Sequence, residues 1–167
     1  MNVRVRWLPI RLARIFIGTH HRHHKRTTGA IVALGAFDGA ELRGVILVGR
    51  PNAQRTQNRT DILVAEVLRC CTLANRARDD GHAECLPSML YARARRLCQA
   101  MGVDRLETKV LAEEPGTSLL AAGWTDEGPA GGGSWDRPSR RREDADLFGE
   151  KFPHGPKRRF AVWCQHR

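Results

Sequence analysis

Acid is in short supply in this chain. Eighteen aspartates and glutamates face 28 lysines and arginines, for a net charge of +10 and a pI of about 10.4. Such a field draws polyanions: nucleic acid, an acidic surface or a phosphorylated cofactor. Coding bias towards arginine is the bland alternative. Cysteine is sparse, and its spacing excludes more than its number. The five cysteines include the adjacent pair Cys70 and Cys71 but no C-x-x-C pair, which excludes a zinc ribbon or a thioredoxin-like motif. Free thiols in a reducing, cytoplasmic setting fit best. No apolar run approaches the ~20 residues that a membrane span needs. Residues 1–18 alternate arginine with apolar residues, so no leader peptide is expected. Tyrosine occurs once, at Tyr91.

What is present suffices for a folded core. Apolar residues make up 41% of 167, too many for a wholly disordered chain and enough for one domain. A single domain over 1–167 is expected, with a flexible glycine- and arginine-rich segment around 126–157. Gly128 to Gly133 and the charge-dense run Ser134 to Asp146 mark that segment.

Periodicity orders the rest. Val3 to Trp7 alternates apolar and basic residues and reads as an edge strand. Pro9 is placed to open a helix through Ile17 and into the histidines. Ala30–Phe37 and Glu41–Gly49 read as strands joined at Asp38-Gly39, a hairpin signal. The second is apolar on both faces, as a central strand is. Pro51 to Thr60 reads as a loop, Ile62 to Thr72 as a bent or bulged strand, and Asn75 to Glu84 as a polar loop. Leu90, Ala94, Leu97 and Met101 recur at helical spacing, predicting a helix from Met89 to Met101 opened by Pro87 and stopped at Gly102. A strand over Arg105–Leu111 and a short helix from Thr117 or Ser118 to Gly123 follow. Arg158 to Cys164 is the last strand, with Phe160, Val162 and Cys164 on one face and an edge that could serve a dimer.

Several groups can carry chemistry. The run His20-His21-Arg22-His23-His24 titrates near neutral pH. It suits a general base at His21 or His23, a metal edge from His20 and His24, or simply a solvated helix end. No nearby carboxylate completes a ligand set, so no metal is assigned. Asp61 and Glu66 are carboxylates able to deprotonate an amine. Glu66 paired with Arg69 or another arginine is the alternative. Gly131 to Arg140 combines glycines with Trp135, Arg137 and Arg140, suited to stacking and phosphate contact with a nucleobase or polynucleotide, or else a charge-rich loop.

The order strand (Glu66 to Thr72), loop, helix, strand, then Glu114-Pro115-Gly116-Thr117-Ser118-Leu119-Leu120-Ala121-Ala122-Gly123-Trp124 resembles the acyl-CoA-binding half of the GNAT N-acetyltransferase superfamily. The resemblance implies an α/β fold with a mixed, mostly antiparallel, splayed sheet flanked by helices. It implies transfer of an acetyl or related acyl group from acyl-CoA to an amine. Glu66, His21, His23 and Asp61 would then be the catalytic candidates. Cys70, Cys71, Thr72, His82, Cys85, Ser88 and Ser118 would line acetyl-CoA, and Arg50, Tyr91, Trp135, Arg137 and Arg140 the acceptor. Two family features are missing. The loop Asp80-Gly81-His82-Ala83-Glu84-Cys85 lacks the usual glycine pattern. Leu119 stands where many members place a tyrosine acid, leaving Ser118, Tyr91 or water to protonate the thiolate. The blocks His20-His21-Arg22-His23, Val48-Gly49-Arg50-Pro51, Glu66-Val67 with Arg69 and Cys71-Thr72, Ser88-Met89-Leu90-Tyr91, Glu114 to Trp124, Gly131 to Arg140 and Pro156-Lys157-Arg158 are similar to small phage and prophage GNAT-like proteins related to Mom-type DNA-modifying enzymes, with Glu114 to Trp124 and Gly132 to Arg140 the most specific. A modified base, or a host or phage protein, could therefore supply the amine. A catalytically silent module that binds nucleic acid or a partner protein is the other reading.

Overall fold

Pairing of the apolar strands builds one seven-stranded sheet in the order β1-β2-β3-β4-β5-β7-β6. The computed structural model describes residues 3–21, 27–76, 85–132 and 155–164. Along the chain run β1 (Val3–Trp7), α1 (Ile10–His20), β2 (Ala30–Asp38), β3 (Glu41–Gly49), α2 (Gln54–Gln57) and β4 (Val64–Thr72). Then come α3 (Leu86–Ala100), β5 (Arg105–Leu111), α4 (Thr117–Ala121), β6 (Thr125–Gly132) and β7 (Pro156–Trp163). β4 and β5 run parallel; the other neighbours are antiparallel. The expected mixed, mostly antiparallel sheet flanked by helices is observed.

β3 is central for the reason its sequence gives. Ile46 and Val48 enter the core under α3, while Val45 and Leu47 enter the core under α1. Ala13, Phe16 and Ile17 form the buried stripe of α1. The β2–β3 turn uses Gly39 at φ 58°. α3 starts earlier than its periodicity suggested, with Pro87 in its first turn, and it buries Leu86, Leu90, Tyr91, Ala94 and Cys98. Met101, expected on that stripe, lies past the helix end and is exposed.

β4 carries the bend that its sequence predicts. Leu47 pairs with Arg69 and Val48 with Val67, so one extra residue, Leu68, is inserted. Such a bulge turns its strand. On the other side, β4 pairs with β5 only at Val64–Arg105, Ala65–Leu106 and Glu66–Glu107. Thr108 then donates its hydroxyl to the Val67 carbonyl at 3.0 Å. Beyond this point β5 continues with β7 and β4 with β3, so the sheet forks.

Three expectations are corrected. A short helix, α2, interrupts the loop expected from Pro51 to Thr60. β6 occupies the start of the segment expected to be flexible, and pairs with β7 through two register shifts. β7 lies between β5 and β6, so the last strand has no free edge for a dimer. Its expected face is found: Phe160, Val162 and Cys164 join the core.

The loop between β5 and α4 is pinned by Gly116, at φ 66°. A Cβ there would lie 2.3 Å from the Phe160 ring, and positive φ is costly for any other residue. Gly116→Ala is expected to destabilise the fold by about 1–3 kcal/mol, read as a lower urea midpoint at unchanged m-value.

Candidate active site

The fork between β4 and β5 holds the densest buried charge among the described residues. Alternation along β5 sends Leu106 into the core and Arg105, Glu107 and Lys109 to the opposite face. Glu66 reaches that same face from the last paired position of β4, opposite Glu107. Glu66 is only 4% exposed. Its Oε2 accepts the Asn52 backbone N–H at 2.8 Å and the Lys109 ammonium at 3.2 Å. Its Oε1 accepts the Asn52 amide at 3.4 Å. The cation on Glu66 is thus a lysine from β5 rather than Arg69. Burial lowers the Arg69 pKa, and the charge of Glu66 opposes that shift.

Glu107 is 2% exposed. Three cations surround it: Lys109 at 3.7 Å, Arg105 at 3.9 Å and Arg159 at 3.9 Å. Its Oε1 makes no hydrogen bond. Arg105 also holds Glu127 at 2.5 Å, and Arg158 pairs with Asp126. Asn52, Glu107 and Lys109 were not singled out in the sequence. The charged half of the Arg105–Lys109 alternation was the available signal for the last two.

The residues expected to line a phosphorylated acyl carrier are spread over β4, α3 and α4. Cys70, Cys71 and Thr72 are on the stretch of β4 that has left β5. An edge of this kind offers backbone donors and acceptors to an extended ligand. α3 begins with no side-chain cap and no acid in its first turn. Its N-terminal N–H groups and dipole therefore suit an anion. Ser88 is half-buried in that first turn, and the exposed Cys85 immediately precedes the helix. Ser118 is half-buried on α4. These donors fit a pyrophosphate and an amide-bearing arm.

Other candidates fall elsewhere. Tyr91, expected at the acceptor, is a core residue: it is buried on α3 and meets Trp124 edge-on at 5.5 Å. Its hydroxyl shares a hydrogen bond with Cys70, and burial raises its pKa well above the ordinary value. Leu119 is buried at 2% exposure, so the expected place of an acid is filled by packing. Asp61 is exposed and paired with Arg59 at 2.5 Å. The Arg59 hydrogen bond holds its carboxyl down at about 2, which makes it a weak base. His21 follows α1, its N–H on the Ile17 carbonyl, and is not among the groups bonded to Glu66. Arg50 is exposed beyond β3. His23, His82, Trp135, Arg137 and Arg140 lie outside the described residues. Among the described residues, no group of three or more His, Cys, Asp or Glu could hold a metal.

Solved structures share this architecture. A Bacillus subtilis acetyltransferase in complex with CoA superposes with a TM-score of 0.55 at 10% identity, covering 97% of this chain and 99% of that one. The GNAT domain of S. lividans PAT gives 0.58 at 17% identity, covering 96% and 90%. Spermidine N-acetyltransferase from Vibrio cholerae, in complex with CoA and spermine, gives 0.56 at 10% identity, covering 96% and 95%. The fold is the GNAT fold. By sequence, no family model and no curated protein matches the chain.

The thiols of this GNAT fold set an alkaline limit. Burial pushes Cys70 and Cys98 up to about 12, and Cys71 and Cys164 up to about 11. Unfolding returns them to about 9, so above that pH the unfolded chain binds fewer protons than the native one. Their stabilising contribution is therefore complete below pH 9 and lost as pH rises through 11 to 12. The thermal midpoint is expected to fall steeply over that window, and less steeply in Cys98→Ala, as read by calorimetry.

Proposed function

We propose that this protein is an acyl-CoA-dependent N-acyltransferase acting on an amine. The observation that carries the reading is the fork, where three positions of parallel pairing end beside a buried carboxylate, Glu66. The CoA-bound neighbours of the same fold support the cofactor, and the spermine-bound one supports an amine acceptor.

Acyl-CoA, when bound, supplies a thioester carbonyl already activated for attack. The chain's own residues do the rest. Backbone N–H groups of β4 between Glu66 and Thr72 that face the opened edge would hold the extended arm and polarise the carbonyl. The uncapped start of α3, with Ser88, holds the pyrophosphate. Glu66 takes a proton from the acceptor ammonium, with His21 or His23 as the alternative base. No phenol stands at Leu119, so the thiolate draws its proton from Ser118 or water. Trp135, Arg137 and Arg140 contact the acceptor. Its resemblance to Mom-type proteins adds an amine on a modified nucleobase to the acceptor class, and the net charge of +10 supports that choice.

At 100-fold excess over its Kd, acetyl-CoA should stabilise the fold by about 2.7 kcal/mol, seen as a saturable rise in thermal midpoint. Glu66→Gln should keep that rise and lose about 100-fold in turnover of an amine. No rise at millimolar ligand would sink the reading.

A second reading follows from the buried Leu119: a catalytically silent module that binds nucleic acid. It requires DNA affinity that falls steeply with salt and no response to acetyl-CoA.

A further inference from the structure

Lysine is rare in this chain. Of its 28 basic residues only Lys25, Lys109, Lys151 and Lys157 are lysines. One of the four sits at the most enclosed charge cluster, between the carboxylates of Glu66 at 3.2 Å and Glu107 at 3.7 Å. Arginine would serve better there as a purely structural cation, because its planar fork matches carboxylates and is less strongly hydrated. What lysine offers instead is an amine that can lose a proton and become a nucleophile.

Its position suits that use. Lys109 lies two residues past Glu107, the last β5 residue paired with β4, and so on the rim of the fork. Its side chain is 18% exposed, reachable yet largely enclosed. Its ammonium hydrogen-bonds the carboxylate proposed as the base, where an incoming acceptor amine would also have to dock. Glu107 offers it an Oε1 with no hydrogen bond of its own.

We propose that Lys109 is an internal acceptor, acylated at Nζ by acyl-CoA bound in the fork. The inference rests on the acyl-CoA reading above. The Nζ ammonium first gives one proton to Glu66, which passes it to water. The freed lone pair forms the N–C bond to the thioester carbonyl, and the C–S bond breaks with its electrons leaving on the thiolate. The second Nζ proton is lost as the amide forms, and the thiolate takes up one proton. Each chain reacts once. The product is neutral, so Glu66 and Glu107 lose the cation they share, and the acylated protein is less stable than the unmodified one.

The test uses the full chain with saturating acetyl-CoA, followed by peptide mass spectrometry and a thermal melt. The expected result is one acetyl group per chain at Lys109, with Lys157 labelled at least about ten-fold more slowly, since only Lys109 is held beside the donor. Glu66→Gln should slow labelling by about 100-fold. Freed of ligand, the modified wild type should melt lower, whereas Lys109→Arg, treated identically, should gain no acetyl at position 109 and keep its midpoint. Desulfo-CoA, which has no acyl group to give, separates the two ideas. If it raises the midpoint while Lys109 stays unmodified under acetyl-CoA, or if all lysines label equally, self-acylation is overturned and the cofactor reading stands. If it raises nothing and no acetyl appears, both are overturned.

Discussion

The bulge at Leu68 turns β4 away from β5, and most of the molecule is arranged around that separation. A parallel pair normally extends along the ladder wherever both strands continue. Here the register stops after Glu66–Glu107, although β4 runs on to Thr72 and β5 to Leu111. Each strand keeps its outer partner, so little sheet hydrogen bonding is lost by opening the middle. α1 and α3 cover opposite faces of the strands before the fork. Both helices pack on β3 and β4. The hydroxyl of Thr108 on the Val67 carbonyl fixes where the opening starts.

Charge crowds into the apex because the geometry leaves no alternative. Glu66 and Glu107 occupy paired positions on adjacent parallel strands and point to the same face. Two enclosed carboxylates that close repel each other unless cations lie between them. Lys109, Arg105 and Arg159 supply the cations at 3.2 to 3.9 Å. Removing one member of such a cluster costs more than the cluster contributes, because a buried charge is left behind. The apex is therefore a place where neutralising a single side chain has effects across the sheet.

The fold was legible wherever pattern and packing agreed. Val45 to Val48 announced a strand covered on both faces, and that is how β3 sits. Ile62 to Thr72 read as a bent or bulged strand, and Thr117 or Ser118 with Gly123-Trp124 announced the short α4. Legibility failed where tertiary context overrides local signals. Four glycines in Gly128 to Gly133 read as a loop, yet pairing with β7 draws its described part, up to Gly132, into a strand. Tyr91 looked available because it is the only phenol, but helical spacing to Ala94 and Cys98 turns it inward against Trp124. In the candidate site, Glu66 could be found from its place on the strand. Its partners could not, because Asn52 and Lys109 lie 14 and 43 residues away, a separation no local pattern encodes.

The cysteines divide by position in a way that has a practical use. Cys71, Cys98 and Cys164 are buried, and Cys70 is half-covered with its thiol proton held. Cys85 is the exposed one, at the threshold of α3 where the candidate anion site begins. Ordinary maleimide chemistry at neutral pH therefore favours one thiol in the native protein, without a cysteine-free background. An environment-sensitive dye attached there would sit at the threshold of α3 and turn the arrival of an anion at that helix end into an optical signal.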